Sequence, residues 1–266
     1  MAEETGVPAT SITGNMLFYK QPELLNIKEH GNLGISPVTD QPFAFLRETQ
    51  IVPLTVTEFV HAALNYPIIF AGDEKTPAAV MGIKQNSNSF VLDDGKMVEG
   101  IYIPAFIRRY PFASAKNNDD ATSLMVCIDR SASMVTENPT SPFFDGDKLS
   151  ETTEQAVEFV KAYDAESMGT VNFVAVMNEL DLFDKEEIKV VAPGADGKVV
   201  EQKMGDYIGL SEEKLLKLPA DKIMELRDNG GLAAFYAHRL SQANWQRLLN
   251  MEMVRDIQQQ QAAGQA

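Results

Sequence analysis

Residues 124–135 read LMVCIDRSASMV. The apolar run Leu124–Ile128 has the length and composition of a strand buried on both faces, and Asp129, Ser131 and Ser133 follow at its end. Such a strand belongs either to a parallel sheet, where helices alternate with strands, or to an antiparallel one, and the flanking sequence chooses between them. Upstream, IIFAG and AAVMGI are apolar β-type runs split by Asp73-Glu-Lys-Thr-Pro77, and VTEFVHAALN before Pro67 reads as a short amphipathic helix. FVLDDGKMVEGIYI adds two strand-like runs around Asp94-Gly95, a hairpin-turn signal. Strands joined by connections this short pair antiparallel.

Downstream of residue 149 the apolar period changes from two to about 3.6. Ser150 is placed as an N-cap with Glu151 and Glu154 in the first turn, and Ala156, Phe159, Val160 and Tyr163 form one stripe. Thr170 is read as the cap of a further helix carrying Phe173, Met177 and Leu180, although the β-branched VNFVAV also suits a strand. VVAPGADGKVV predicts a second, smaller hairpin. After Ser211 the chain turns helical, with Pro219 opening a segment that Gly230-Gly231 closes. A final helix sets Leu232, Phe235, Tyr236, Leu240, Trp245, Leu248 and Leu249 mostly along one side. The expected fold is α+β: an antiparallel sheet of about five strands from residues 65 to 135, covered by C-terminal helices, with a small second hairpin. Residues 1–17 are expected to be a disordered tail, 18–252 a single domain and 253–266 a Gln-rich tail that continues the last helix.

Thirty-eight acidic residues against 23 basic ones give a formal charge of −15. That potential repels phosphate backbones and anionic membranes, so nucleic-acid binding is not expected. No apolar stretch reaches the length of a membrane span. One cysteine, Cys127, excludes an internal disulfide and suits a reducing compartment. The start, MAEETGVPATSITGN, has acidic residues where a signal peptide needs basic ones, so a cytoplasmic location is expected.

Nucleotide-binding glycine motifs and a Gly-x-Ser-x-Gly elbow are missing, and His30, His61 and His238 lack ligand-pair spacing. No catalytic residue and no cofactor is assigned. The distinctive stretch is Tyr102-Ile-Pro104-Ala-Phe106-Ile-Arg108-Arg109-Tyr110-Pro-Phe112. Its prolines force Ile103 and Tyr110 toward extended geometry and leave room for one helical turn. Two guanidiniums among four aromatics can grip a carboxylate, stack on a ring or anchor an interface, or can pair with the protein's own acids. Tyr102, Pro104, Phe106, Arg108, Arg109, Tyr110 and Phe112 are therefore the candidate binding residues.

An apolar strand ending in Asp-x-Ser-x-Ser also resembles the start of the divalent-metal adhesion site of von Willebrand A-type domains. That resemblance implies Mg²⁺ on Asp129, Ser131 and Ser133. An A-type domain needs alternating strands and helices, and helices dominate after Ser133.

A wider resemblance covers residues 18 to 252. IYIPAFIRRYPF, preceded by YPIIFAG and FVLDDG, and followed in order by SLMVCID, FFDGDKLSETTEQAVEFVKAY, Thr170-x-x-Phe173 and GGLAAFYAHRLSQANWQRLL, is similar to the SapC family. Family members often carry Trp after Asp-Gly-x, where this chain has Lys96-Met97. The resemblance implies a bacterial protein linked to the surface layer or its machinery, and brings no established catalytic mechanism. The expected function is a non-enzymatic binding or accessory role toward another protein. The alternatives are a protein or enzyme that takes a small carboxylate in an Arg-aromatic pocket, and Mg-dependent adhesion.

Overall fold

The computed structural model describes residues 17–116, 124–193 and 199–263. The tail expected at residues 1–17 lies outside them except for Leu17, as does the turn of the second hairpin at Gly194–Gly197. In chain order the strands are β1 (Pro22–Leu24), β2 (Gly34–Ile35), β3 (Ile51–Pro53), β4 (Ile68–Ala71), β5 (Thr76–Val80), β6 (Phe112–Lys116), β7 (Leu124–Asp129), β8 (Val135–Thr136), β9 (Ser141–Pro142), β10 (Phe144–Asp145), β11 (Lys148–Leu149), β12 (Phe183–Pro193) and β13 (Val199–Leu210). The helices are α1 (Ile27–His30), α2 (Phe59–Ala62), α3 (Ala105–Arg108), α4 (Glu151–Glu179), α5 (Glu212–Leu215), α6 (Ala220–Asp228), α7 (Gly231–Ser241) and α8 (Asn244–Ala263). The mixed α+β class and the five-stranded antiparallel sheet with C-terminal helices are as the sequence predicts.

The chain divides into two compact units. Unit 1 takes the residues up to Pro37 and Tyr110–Val160, and unit 2 takes Val38–Arg109 and everything from Lys161. In unit 1, β7 is the middle strand of a three-stranded antiparallel sheet, with Phe112 of β6 opposite Ile128 and Leu24 of β1 opposite Cys127. The buried strand thus belongs here, and not to the five-stranded sheet where the sequence reading put it. Leu33, Phe112, Ile128, Phe143 and Val160 form the core of the unit. Burial pushes the Cys127 thiol up to about 11, in keeping with a packing role. β2 pairs with both β8 and β9, and Gly34 is required there because a side chain would run into the Ser141 carbonyl.

In unit 2 the strand order is β12-β13-β4-β5-β3, antiparallel throughout. The second hairpin is present but is not small. β12 and β13 have 11 and 12 residues, and a bridge between Ile208 and Phe70 joins them to the main sheet. The strands expected around Asp94-Gly95 do not form beyond a single Val91–Met97 bridge. Gly95 sits at φ +74 and the Asp94 carboxylate accepts the Lys96 N–H, so the turn itself forms as the sequence predicts while the flanking strands do not.

Ser150 caps α4 as expected, its hydroxyl accepting the Thr153 N–H at 3.3 Å. One unbroken helix then runs through Thr170 and VNFVAV, where the sequence suggested a second start or a strand. The Thr170 hydroxyl donates to the Glu166 carbonyl, four residues back, and accepts the Val56 N–H. Phe173, Val174 and Met177 are buried from the same stretch. Burial on one helical face outweighs β-branched propensity here.

Pro219 caps α6, and Gly230, left-handed at φ +80, separates it from α7. α7 packs on β4 and β13, and α8 packs on β12. The seam of α7 is Ala234, Phe235, Ala237, His238 and Ser241, whereas Tyr236 and Leu240, expected on that side, are exposed. Small residues let the helix approach closely enough for the Ser241 hydroxyl to accept the Ile68 N–H at 3.0 Å.

Candidate functional site

The site in unit 2 is built outward from a buried carboxylate. Thr55-x-x-Glu58 has the spacing of a capping box, and Glu58 Oε2 accepts the Thr55 N–H at 2.8 Å and its hydroxyl at 2.9 Å. Glu58 Oε1 accepts the Tyr102 hydroxyl at 2.9 Å and the Ala105 N–H at 2.6 Å, the latter at the first residue of α3. Two further bonds fix Tyr102, whose N–H donates to Asn65 at 2.8 Å and whose carbonyl accepts the Tyr66 hydroxyl at 2.6 Å. Burial, followed by the negative charge of Glu58, pushes the Tyr102 phenol up to about 12. It therefore stays protonated and donates across the neutral range.

Arg108 and Arg109 are consecutive, so their side chains leave α3 about 100° apart. Arg108 is exposed; its Nε donates to the Ile103 carbonyl at 3.0 Å, one terminal nitrogen donates to the Tyr102 hydroxyl at 3.2 Å, and the guanidinium lies 5.7 Å from the Tyr102 ring. Arg109 is only 8% exposed, with its guanidinium 4.3 Å from the Phe106 ring and 4.5 Å from the Tyr163 ring. Desolvated contacts of this kind are worth up to about 2 kcal/mol. Pro104 caps the single turn of α3 that the two prolines predict, and Phe106 is buried. The exposed His61 stacks on Tyr102 at 5.5 Å.

Tyr110 and Phe112 belong to unit 1. Phe112 is core, packed edge-on to Phe143. Tyr110 meets Phe18 and Tyr19 edge-on and donates its hydroxyl to Asp129 at 3.3 Å. Of the seven candidates, Tyr102 and Arg108 carry the accessible polar chemistry of unit 2. Glu58 and His61 were not singled out in the sequence, although Thr55-x-x-Glu58 was a readable signal for the first.

Asp129 is fully buried and accepts five hydrogen bonds, from the N–H groups of Lys20 (2.9 Å), Gln21 (3.1 Å) and Ser131 (3.0 Å) and the hydroxyls of Ser131 (2.6 Å) and Tyr110 (3.3 Å). Burial alone would raise its pKa. The bonds from Ser131, Lys20 and Gln21 outweigh burial and hold it below the usual carboxylate range. A Mg²⁺ ion would have to displace these donors, and Ser133 is exposed. Among the described residues no group of three or more His, Cys, Asp or Glu is placed to hold a metal, and no helix is long and apolar enough to cross a membrane.

No curated protein and no solved structure matches the chain. One family model does, SapC, over residues 25–248, which takes in Glu58, Asp129 and the whole of the Tyr102–Phe112 stretch. The chain belongs to the SapC family.

Proposed function

We propose that this SapC-family protein is a non-enzymatic binding or accessory protein, that it serves a surface-layer or envelope-linked process from the cytoplasm, and that its contact with a partner protein is made through Tyr102 and Arg108. The observation that carries this reading is an exposed guanidinium already ordered on a tyrosine, which a buried carboxylate holds in turn. A side chain ordered before binding loses less conformational freedom when a partner arrives, so more of each contact appears as affinity. The link to the surface layer is supported by the family's name. The pocket alternative has less support: cavities of about 230, 310, 420 and 600 Å³ among the described residues are lined by side chains other than Tyr102, Arg108 and Arg109.

The test is affinity capture from the soluble and envelope fractions of a source-cell lysate, with the wild type and Arg108→Glu side by side. The reading expects a discrete protein retained by the wild type and lost from a variant with an unchanged melting temperature. The same proteins retained equally by both would overturn it. A melting temperature raised by small carboxylates, and not by neutral analogues, would favour the pocket reading instead.

A further inference from the structure

Three segments of unit 2 contain no acidic residue, although the chain as a whole carries −15: residues 59–72, 100–109 and 229–251. The fold gathers them. Tyr102 is bonded to Asn65 and Tyr66, Asn244 donates to the Ala63 carbonyl at 2.7 Å, Arg247 donates to the Leu64 carbonyl at 3.4 Å, and α2 packs against α7. The cations brought along are Arg108 and the half-buried Arg247, with the exposed imidazole of His61 beside them.

The same elements expose apolar side chains. On α2 and the turn after it Val60 is 58% and Leu64 72% exposed, and on α7 Tyr236 is 41% and Leu240 73% exposed. Both pairs are spaced four residues apart, the spacing of one helical face. Val60 also borders a groove of about 420 Å³ between α2, α4 and the start of α7, lined by residues such as Val56, Phe173, Met177 and Ala233 together with Gly169 and Gly230, with no charged side chain. Small residues in the walls permit close approach of another backbone.

We infer that this face binds an acidic amphipathic helix, whose apolar side chains enter the α2–α4–α7 groove and cover Leu64 and whose carboxylates meet Arg108 and Arg247. The inference rests on the binding role proposed above and names the chemistry of its partner. Charge complementarity selects this occupant. The positive side is local, two arginines within acid-free segments, and a short helix with a few carboxylates can meet it without spreading over the acidic remainder, whereas a second copy brings its whole net charge of −15 and an anionic bilayer extends past the face. Helix-in-groove recognition uses this combination of an apolar floor and charged rim.

The probe is a fluorescent synthetic peptide of about 20 residues, about 30 Å as a helix, with leucine at helical spacing, a few glutamates flanking the leucines and glutamine elsewhere. Its control carries lysine in place of glutamate. Fluorescence anisotropy is expected to show binding of the Leu/Glu peptide that weakens as salt is raised from about 20 to about 500 mM, and no binding of the control. Arg108→Glu and Leu64→Asp are each expected to weaken it by about tenfold or more. Both residues are exposed, so the melting temperature should stay unchanged. Absence of binding up to about 1 mM peptide, or equal binding by the variants, overturns the inference. So does a dimer in sedimentation velocity that Leu64→Asp dissolves, or adsorption to anionic phosphatidylglycerol vesicles that it abolishes. If the peptide fails while Arg108→Glu still loses its captured protein, the helix inference falls and the binding role stands. Should Arg108→Glu retain that protein, the binding role falls whatever the peptide does.

Discussion

Asp129 in unit 1 and Glu58 in unit 2 are both buried carboxylates, each surrounded by protein donors, and they do different work. Asp129 takes three of its five hydrogen bonds from backbone N–H groups, at Lys20, Gln21 and Ser131, so it fastens the chain near its start to the end of β7. Its one aromatic partner, Tyr110, is turned into the Phe18–Tyr19 cluster. Glu58 also holds two backbone N–H groups, at Thr55 and Ala105, but its aromatic partner Tyr102 carries the exposed Arg108. A buried carboxylate can close a fold upon itself or can order a side chain that faces solvent, and the difference lies in what stands on its donors.

If that distinction holds, Asp129→Ala should have the largest effect. It removes the shared acceptor of five partly buried hydrogen bonds and should cost about 2–4 kcal/mol, read as a lower denaturant midpoint. A loss under about 1 kcal/mol would mean the five bonds are not the fastening described here. Glu58→Gln keeps the shape and loses the charge, and should cost about 1–3 kcal/mol while loosening Tyr102.

Acid should separate the two units, and each has a unique reporter: Trp245 in unit 2 and Cys127 in unit 1. His238 is buried and held neutral, its pKa pushed down to about 3 from 6.5, by burial first and then by Arg239. A depressed histidine stabilises the folded state fully above 6.5. Below that the unfolded chain takes up a proton the folded one refuses, so stability falls by about 1.4 kcal/mol per pH unit down to about 3. Asp129 has the same proton balance from a lower start: its depressed pKa stabilises the fold above its ordinary value of 3.8, and this is lost as pH falls through the folded value. Trp245 fluorescence should therefore report weakening of unit 2 from about pH 6 downward, before Cys127 becomes reactive to a dipyridyl disulfide in acid. His238→Leu should flatten the first limb. Simultaneous transitions in wild type and variant alike would refute the assignment.

The smaller effects separate the two arginines. Arg109→Ala removes a guanidinium held between two rings and should cost about 1–2 kcal/mol. Arg108→Ala should change stability by no more than about 0.5 kcal/mol while removing the partner contact. Equal destabilisation by both would place Arg108 in the fold and not at the surface.

Much of the local structure was legible. IIFAG and AAVMGI became β4 and β5, Ser150 started α4, and Pro219 and Gly230 bounded α6. Sheet membership was not, because pairing is non-local: β13 reaches β4 across more than a hundred residues, and β7 pairs with β1 and β6 instead of joining β4 and β5. FVLDDGKMVEG alternates like a hairpin and its turn does close, the Gly95 N–H donating to the Leu92 carbonyl, but strand pairing amounts to the one Val91–Met97 bridge. In the Arg-aromatic stretch the sequence did not show that adjacent arginines would face different environments, one exposed and one buried between rings. It also gave no sign that Tyr110 and Phe112 would serve unit 1. Glu58 carried a signal in Thr55-x-x-Glu58, whereas its bonds to Tyr102 and Ala105 follow only from the fold.

The most direct measurement places a photo-crosslinking amino acid at Leu64, beside the Tyr102–Arg108 ledge, and in a second protein at Asn138 on the exposed surface of unit 1. Irradiation in source-cell lysate should give a discrete adduct from position 64 that Arg108→Glu abolishes, and none from position 138. An adduct from position 138 with none from position 64 would contradict the account.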